Sequence, residues 1–188
     1  MRDAFQSRHN AVLVAPPGAG KTTLVPLRLL YESWVGNRRI VMLEPRRLAA
    51  RAAAQRMASL LGEIVGDTVG YQTRDERKIG ANTRIEVLTE GILTRRLQND
   101  PTLDGTALVI FDEVHERNLP TDLGLAFLLD ARNTFDSDVR VLASLQPHRQ
   151  RSLPMYLQTL TAQLPSSHQM AESFLSMSAT YQDNATTD

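Results

Sequence analysis

Val12-Leu13-Val14-Ala15-Pro16-Pro17-Gly18-Ala19-Gly20-Lys21-Thr22-Thr23 is the stretch on which the reading of this chain turns. A short apolar run meets prolines and glycines, then Lys-Thr, and a helix-compatible segment follows from Leu24 to Tyr31. The order is strand, glycine-bearing loop, helix. Such a loop turns successive backbone N–H groups inward at the positive end of a helix, which makes an anion site. Gly18 and Gly20 permit backbone conformations that a Cβ forbids, and a close approach to phosphate. Lys21 can reach the terminal phosphates, and the Thr22 hydroxyl is placed to ligate Mg2+. The residues expected to cradle phosphate are Pro17, Gly18, Ala19, Gly20, Lys21, Thr22 and Thr23. The strict phosphate-loop pattern has glycine where Ala15 stands. An ordinary glycine-rich turn is the plain alternative, and Gly-Lys-Thr directly after a strand-like run argues against it.

With 188 residues the chain is long enough for one domain with a sizeable core and short for two. Lys+Arg and Asp+Glu balance at 21 each, so any polyanion site must come from local clustering rather than net charge. Cysteine is absent, which excludes disulfides, thiolate catalysis and Cys-ligated metal centres. No apolar run approaches membrane-spanning length, and the N-terminus has no signal-peptide core, so no membrane partner is expected and a reducing, cytoplasmic setting is the default.

Around the loop the chain alternates strand and helix signals. Met1–Asn10 is a polar lead-in, and Ala11–Ala15 is the first strand. The following helix is expected from about Lys21 to Ser33, with Pro26 tolerated in its first turns and Gly36-Asn37 ending it. Arg39–Leu43 reads as a buried parallel strand, being short and without polar alternation. It runs into Glu44-Pro45-Arg46-Arg47 and an Ala-rich helix, Leu48–Leu61, stopped by Gly62. Val69–Gln72 is a short strand, Thr73–Asn82 a charged, turn-rich segment, and Arg84–Leu88 alternates like a strand. Thr89-Glu90-Gly91 leads into a helix over Ile92–Gln98. Ala107–Phe111 is the clearest buried strand, followed by Asp112-Glu113-Val114-His115-Glu116-Arg117, a helix over Leu119–Arg132 and a strand over Val139–Ala143. Strands alternating with crossover helices predict an α/β fold: a mostly parallel, doubly wound sheet of about five to seven strands. Ligands of such sheets bind beyond the carboxyl ends of the strands, where every motif named here falls.

Asp112 and Glu113 are the expected partners of Lys21. An acidic pair just past a buried strand suits Mg2+ binding through Asp112, opposite Thr22, and water activation by Glu113 for in-line attack on a γ-phosphate. A solvated acidic loop is the alternative for an isolated Asp-Glu, and it weakens when the pair and the phosphate loop end separate strands of one sheet. His115, two residues on, joins the candidate catalytic set as a link from the nucleotide to the rest of the protein, since Glu113 already fills the base role.

Asp112-Glu113-Val114-His115-Glu116-Arg117 resembles motif II of the DEAH-box helicases, with Val where the family name has Ala. Ala15–Thr22 resembles that family's motif I, in which Ala for the first Gly is usual. Leu43–Ala50 resembles motif Ia, Thr89–Leu93 the next element, and Val69–Gln72 also fits; together they look most like the bacterial HrpB subgroup. The resemblance is dense from Val12 to Arg132. It implies the first RecA-like domain of an RNA- or DNA-dependent ATPase that uses ATP and Mg2+. By that resemblance Lys21 and Thr22 bind phosphate and Mg2+, Asp112 binds Mg2+, and Glu113 is the catalytic base. Pro45, Arg46, Arg47 and the Thr89-Glu90-Gly91 turn would face single-stranded nucleic acid. Taken alone, Arg46 and Arg47 read more simply as solvated charges at a helix start, although their unfavourable placement against the helix dipole is better explained by an external anion.

Three departures stand out. The family needs a second RecA-like domain to supply arginine fingers and complete the nucleic-acid channel, and nothing here resembles it. The last strand should be followed at once by Ser-Ala-Thr, the family's motif III; instead Ser144-Leu145-Gln146-Pro147-His148-Arg149 follows, and Ser178-Ala179-Thr180 comes only much later. Residues 144–188 also change composition, which divides the chain into a RecA-like domain over 1–143 and an atypical tail. One reading of the tail is a stretch read out of frame between about Ala143 and Tyr181; another is an insertion displacing motif III. Gln150–Met170 is expected as loosely packed helical pieces or disorder. Two rivals to the helicase reading remain: a P-loop NTPase that does not touch nucleic acid, and a truncated domain that binds nucleotide without turning it over.

Overall fold

Why the sheet is buried on both faces is visible in its strands, which carry apolar side chains at odd and even positions alike. In the computed structural model, which describes residues 10–114 and 119–146, seven strands form one sheet. They are β1 (Asn10–Val14), β2 (Arg39–Leu43), β3 (Val69–Gln72), β4 (Arg77–Lys78), β5 (Ile85–Leu88), β6 (Thr106–Phe111) and β7 (Arg140–Leu145). Their spatial order is β1-β7-β6-β2-β5-β3-β4. Every pairing is parallel except β3 with β4, which is antiparallel. The short, charged β4 caps one edge, which is how edge strands avoid pairing with other chains.

Among the described residues four helices cover the two faces: α1 (Leu24–Leu29), α2 (Arg47–Leu60), α3 (Glu90–Asn99) and α4 (Leu119–Phe135). On one face Leu13, Ile40, Met42, Ile85, Leu108 and Ile110 pack with Val25 and Leu27 of α1 and with Ala50, Ala54 and Met57 of α2. The small side chains of α2 suit a helix lying close against the sheet. On the other face Val12, Val41, Val109, Phe111 and Val141 pack with Leu93 and Leu97 of α3 and Leu125 and Leu128 of α4. Each such Val, Leu, Ile, Met or Phe side chain, once fully buried, contributes about 1.5–3 kcal/mol of transfer free energy. This is the doubly wound α/β arrangement expected from the alternation of elements. None of the helices among the described residues is long and apolar enough to cross a membrane.

The structure departs from the expected elements in four informative places. The helix after the phosphate loop is only Leu24–Leu29, because Glu32 N–H bonds back to Leu29 O at 3.0 Å and Val35 N–H to Glu32 O at 3.0 Å. These three-residue spacings turn the chain more tightly than an α-helix, well before Gly36-Asn37. The charged segment after β3 contains a strand, β4, because Arg77 and Lys78 pair with Gln72 and Tyr71. The strand β5 does not alternate: Ile85, Glu86, Val87 and Leu88 are all buried. Glu86, 1% exposed, tolerates this position because Arg39 (3.2 Å) and Arg96 (2.6 Å) hold its two carboxylate oxygens. Finally, β7 extends to Leu145, with Ser144 and Leu145 in register with Leu13 and Val14. Residues 144 and 145 thus complete the sheet where the expected strand ended at Ala143. His115, Ser178-Ala179-Thr180, the stretch Gln150–Met170 and most of the lead-in lie outside the described residues.

Candidate active site

The phosphate loop leaves the end of β1 and returns as α1. Gly18 and Gly20 both have left-handed backbone, at φ 78° and 77°, the conformation their lack of a Cβ permits. At Gly20 a Cβ would also meet Leu24 Cδ1 at 2.7 Å, so the loop closes on its own helix. Gly20 O accepts from Thr23 N–H (3.2 Å) and Leu24 N–H (2.8 Å), which anchors the turn. Lys21 is 7% exposed, and its ammonium donates to Ala15 O (2.7 Å) and Pro16 O (2.9 Å) at the start of the loop. Burial lowers the Lys21 pKa, while the nearby carboxylates of Asp112 and Glu113 partly oppose that shift. The ammonium therefore sits in the field of the two acids that the sequence pairs with it.

Those acids arrive from β6, two strands away from β1. Asp112, 3% exposed, collects three donors. Thr22 Oγ1 donates to Oδ2 at 2.5 Å, Glu113 N–H donates to Oδ1 at 3.0 Å, and the Ser144 hydroxyl also donates to Oδ1. The Asp112 N–H itself donates to Leu43 O at 3.2 Å, fixing the exit of β6 against the exit of β2. Glu113 has φ 50°, a left-handed conformation rarely adopted by a side chain with a Cβ. Strained backbone of this sort concentrates at functional sites.

Ser144 is the residue that sequence reasoning missed. It stands in the segment that fits no expected motif, yet β7 lies between β1 and β6 and delivers its hydroxyl, 1% exposed, to Asp112. A polar residue following the apolar run Val141-Leu142-Ala143 was the available signal. The serine ties β7 to the acidic loop, while the adjacent Leu145 O accepts Ala15 N–H (3.2 Å) at the start of the phosphate loop.

The candidate nucleic-acid residues lie further along the same sheet edge. Glu44 N–H bonds Leu88 O (2.9 Å) and Thr89 N–H bonds Gln72 O (3.2 Å), so the exits of β2, β5 and β3 are mutually fixed. Arg46 caps α2 and Arg47 opens it. The Arg47 guanidinium pairs with Asp75 and that of Arg51 with Glu76, both on the turn between β3 and β4. Arg51 also lies over the Tyr71 ring at 5.8 Å. Thr89 is the residue before α3, and Glu90 and Gly91 form its first turn. A cleft of about 300 Å³ opens at the opposite ends of β6 and β7, between Arg38, Asp104, Phe135 and Asp138, and none of the predicted site residues lines it.

A glycine loop between strand and helix, with a lysine and a threonine facing a buried aspartate from a separate parallel strand, defines the P-loop class of nucleotide-binding proteins. Within that class, the chain belongs to the DEAD/DEAH box helicase family, whose sequence model matches residues 1–119. It is 53% identical over 139 residues to the ATP-dependent RNA helicase HrpB of Escherichia coli (strain K12), covering 74% of this chain and 17% of that protein. It is 42% identical over 130 residues to the ATP-dependent RNA helicase DEAH13 of Arabidopsis thaliana, covering 65% of this chain and 10% of that one. The crystal structure of Escherichia coli DEAH/RHA helicase HrpB superposes with a TM-score of 0.78 at 47% identity, over 87% of this chain and 20% of that one. The chain thus spans about a fifth or less of the length of these relatives. The match supports the RecA-like fold that the motifs implied.

Proposed function

We propose that this chain is the nucleotide-binding part of an ATP-dependent helicase acting on single-stranded RNA. The observation that carries the reading is the meeting of Thr22 and Asp112, which joins the phosphate loop to the acidic loop at one sheet edge. In this reading the loop N–H groups and Lys21 hold the β- and γ-phosphates, and Lys21 exchanges its contacts with Ala15 O and Pro16 O for phosphate oxygens. Glu113 orients the attacking water and takes its proton.

The donor set fits Mg2+. One hydroxyl and one carboxylate converge, and no cluster of three or more His, Cys, Asp or Glu able to hold a metal occurs among the described residues. Mg2+ characteristically uses one or two carboxylates together with substrate phosphates and water, rather than a full protein cage. Thr22 and Asp112 would hold it, and when bound it supplies charge neutralisation at the phosphates.

Pro45, Arg46, Arg47 and Thr89-Glu90-Gly91 face the nucleic acid. The exposed Arg47–Asp75 pair is of a kind worth about 0–1 kcal/mol, so a backbone phosphate can replace Asp75 at little cost. The similarity to ATP-dependent RNA helicases favours RNA. Backbone contacts of this type carry little base specificity. A second lobe with its arginine fingers is supplied from outside these residues; such fingers contribute roughly three to five orders of magnitude in rate. The isolated chain therefore binds Mg-ATP and turns it over slowly.

Steady-state ATPase assays with and without single-stranded RNA, run alongside ATP-binding titrations on this chain and on Glu113→Gln, test the reading. ATP binding with slow turnover agrees with it. RNA-independent brisk turnover favours a P-loop NTPase of another kind, and failure to bind Mg-ATP refutes it.

A further inference from the structure

The nucleic-acid reading of Thr89-Glu90-Gly91 leaves open how occupancy there reaches Asp112 and Glu113, and α3 and α4 hold an answer. Thr121 lies in the first turn of α4 and is 7% exposed. Its hydroxyl donates to Glu90 Oε1 in the first turn of α3. The two helices begin at different strand exits: α3 follows β5, and α4 follows β6 and the acidic loop. Below this bond they pack closely. A Cβ added to Gly124 would sit 3.9 Å from Leu93 Cδ2 of α3 and 4.0 Å from Phe111 Cε1 at the end of β6. Glycine there brings α4 close to both elements. Thr121 is thereby held at the helix start by packing beneath it, with its hydroxyl aimed at the acid.

We propose that Thr121 is a positioning residue which, through Glu90, couples the nucleic-acid turn to the acidic loop. The proposal rests on the nucleic-acid reading given above. A ligand that draws on Glu90 or shifts the start of α3 changes the acceptor offered to Thr121, and α4 carries that change to Phe111, the neighbour of Asp112, through the packing at Gly124. A backbone route runs in parallel: Asp112 N–H to Leu43 O, then Glu44 N–H to Leu88 O. That ladder is made of backbone groups within the sheet, whereas the Thr121–Glu90 bond joins two side chains and can be made or broken without unpairing a strand. Coupling between two ligand sites requires such a two-state element.

Thermodynamic linkage is the test, measured on this chain with a fluorescent Mg-ATP analogue and a fluorescein-labelled oligouridylate. Each ligand is expected to tighten the other by a common factor, at least about fivefold. Thr121→Val should reduce that factor to under about twofold while leaving each affinity measured alone within about threefold. Thr121→Ser, which keeps the hydroxyl, should restore it; a change that merely loosened the fold would not be rescued in this way. If Thr121→Val loses its cooperative melting transition, Thr121→Ala takes its place. Undiminished coupling in the folded hydroxyl-free variant overturns the proposal, as does a wild-type chain that binds both ligands independently. A wild-type chain that binds Mg-ATP but not the oligonucleotide overturns instead the nucleic-acid reading on which the proposal rests.

Discussion

Thr22 and Asp112, 90 positions apart in the chain, share a hydrogen bond of 2.5 Å from hydroxyl to carboxylate. One residue belongs to the loop after β1 and the other to the loop after β6, and parallel strands bring both exits to the same edge. The contact pairs two oxygen ligands of the type that Mg2+ takes together with phosphates.

Nucleotide binding should accordingly depend on Mg2+ through this pair. Titrating a fluorescent ATP analogue in Mg2+ and in EDTA is expected to show weaker binding by wild type in EDTA. Thr22→Val should bind with little difference between the two conditions. An equal metal effect in both proteins would remove Thr22 from the metal site.

Ser144→Ala tests the strand between the two loops. The substitution deletes a buried hydroxyl and leaves Asp112 Oδ1 with the Glu113 N–H as a remaining donor. Loss of one hydrogen bond to a buried carboxylate costs about 1–3 kcal/mol. The expected result is a lower urea midpoint with an unchanged slope, since the surface exposed on unfolding stays the same. An unaltered midpoint would show that Ser144 adds nothing to the site.

The buried lysine predicts a pH dependence with a definite sign. Burial lowers the Lys21 pKa in the folded chain, with Asp112 and Glu113 opposing. Below that lowered pKa both folded and unfolded forms carry the proton, and the penalty for burying the charge is fully present. Between it and the ordinary lysine value of about 10.4 the folded form sheds its proton first, so stability rises with pH. The stability of wild type minus that of Lys21→Met should therefore increase from neutral pH toward about pH 10, measured by paired thermal melts. A flat or falling difference contradicts the burial.

Glu86→Leu probes the charge inside β5. The substitution leaves Arg39 and Arg96 without their common carboxylate. Breaking a fully buried pair costs about 3–5 kcal/mol. Here the arginine side chains are 48% and 29% exposed and can turn toward water, which reduces the expected loss to roughly 1–3 kcal/mol. Arg96 also donates to Gln72 Oε1 at 3.2 Å, so α3 should stay docked while the midpoint of chemical unfolding falls. A variant as stable as wild type would mean that the leucine's own burial offsets the lost ion pairs.

Several features were legible in the residues themselves. Hydrophobic runs, glycines, prolines and the Gly-Lys-Thr and Asp-Glu motifs act over a few positions, and such patterns specify strand, loop and helix without knowledge of the rest. The doubly wound α/β class and the strand, glycine loop and helix around Lys21 could be read from the residues alone, as could the placing of Asp112-Glu113 just past a separate strand. That β7 lies between β1 and β6, turning Ser144 from an unassigned residue into a partner of Asp112, came from the assembled sheet. Tertiary packing likewise decided that Glu86 is buried between two arginines, that Arg47 meets Asp75, and that Thr121 reaches Glu90. Each of these contacts joins residues of different elements, from 10 positions apart for Glu86 and Arg96 to 47 for Arg39 and Glu86. Strand order and helix packing set such distances, and the periodicity of a single strand or helix contains no information about which neighbour it will meet.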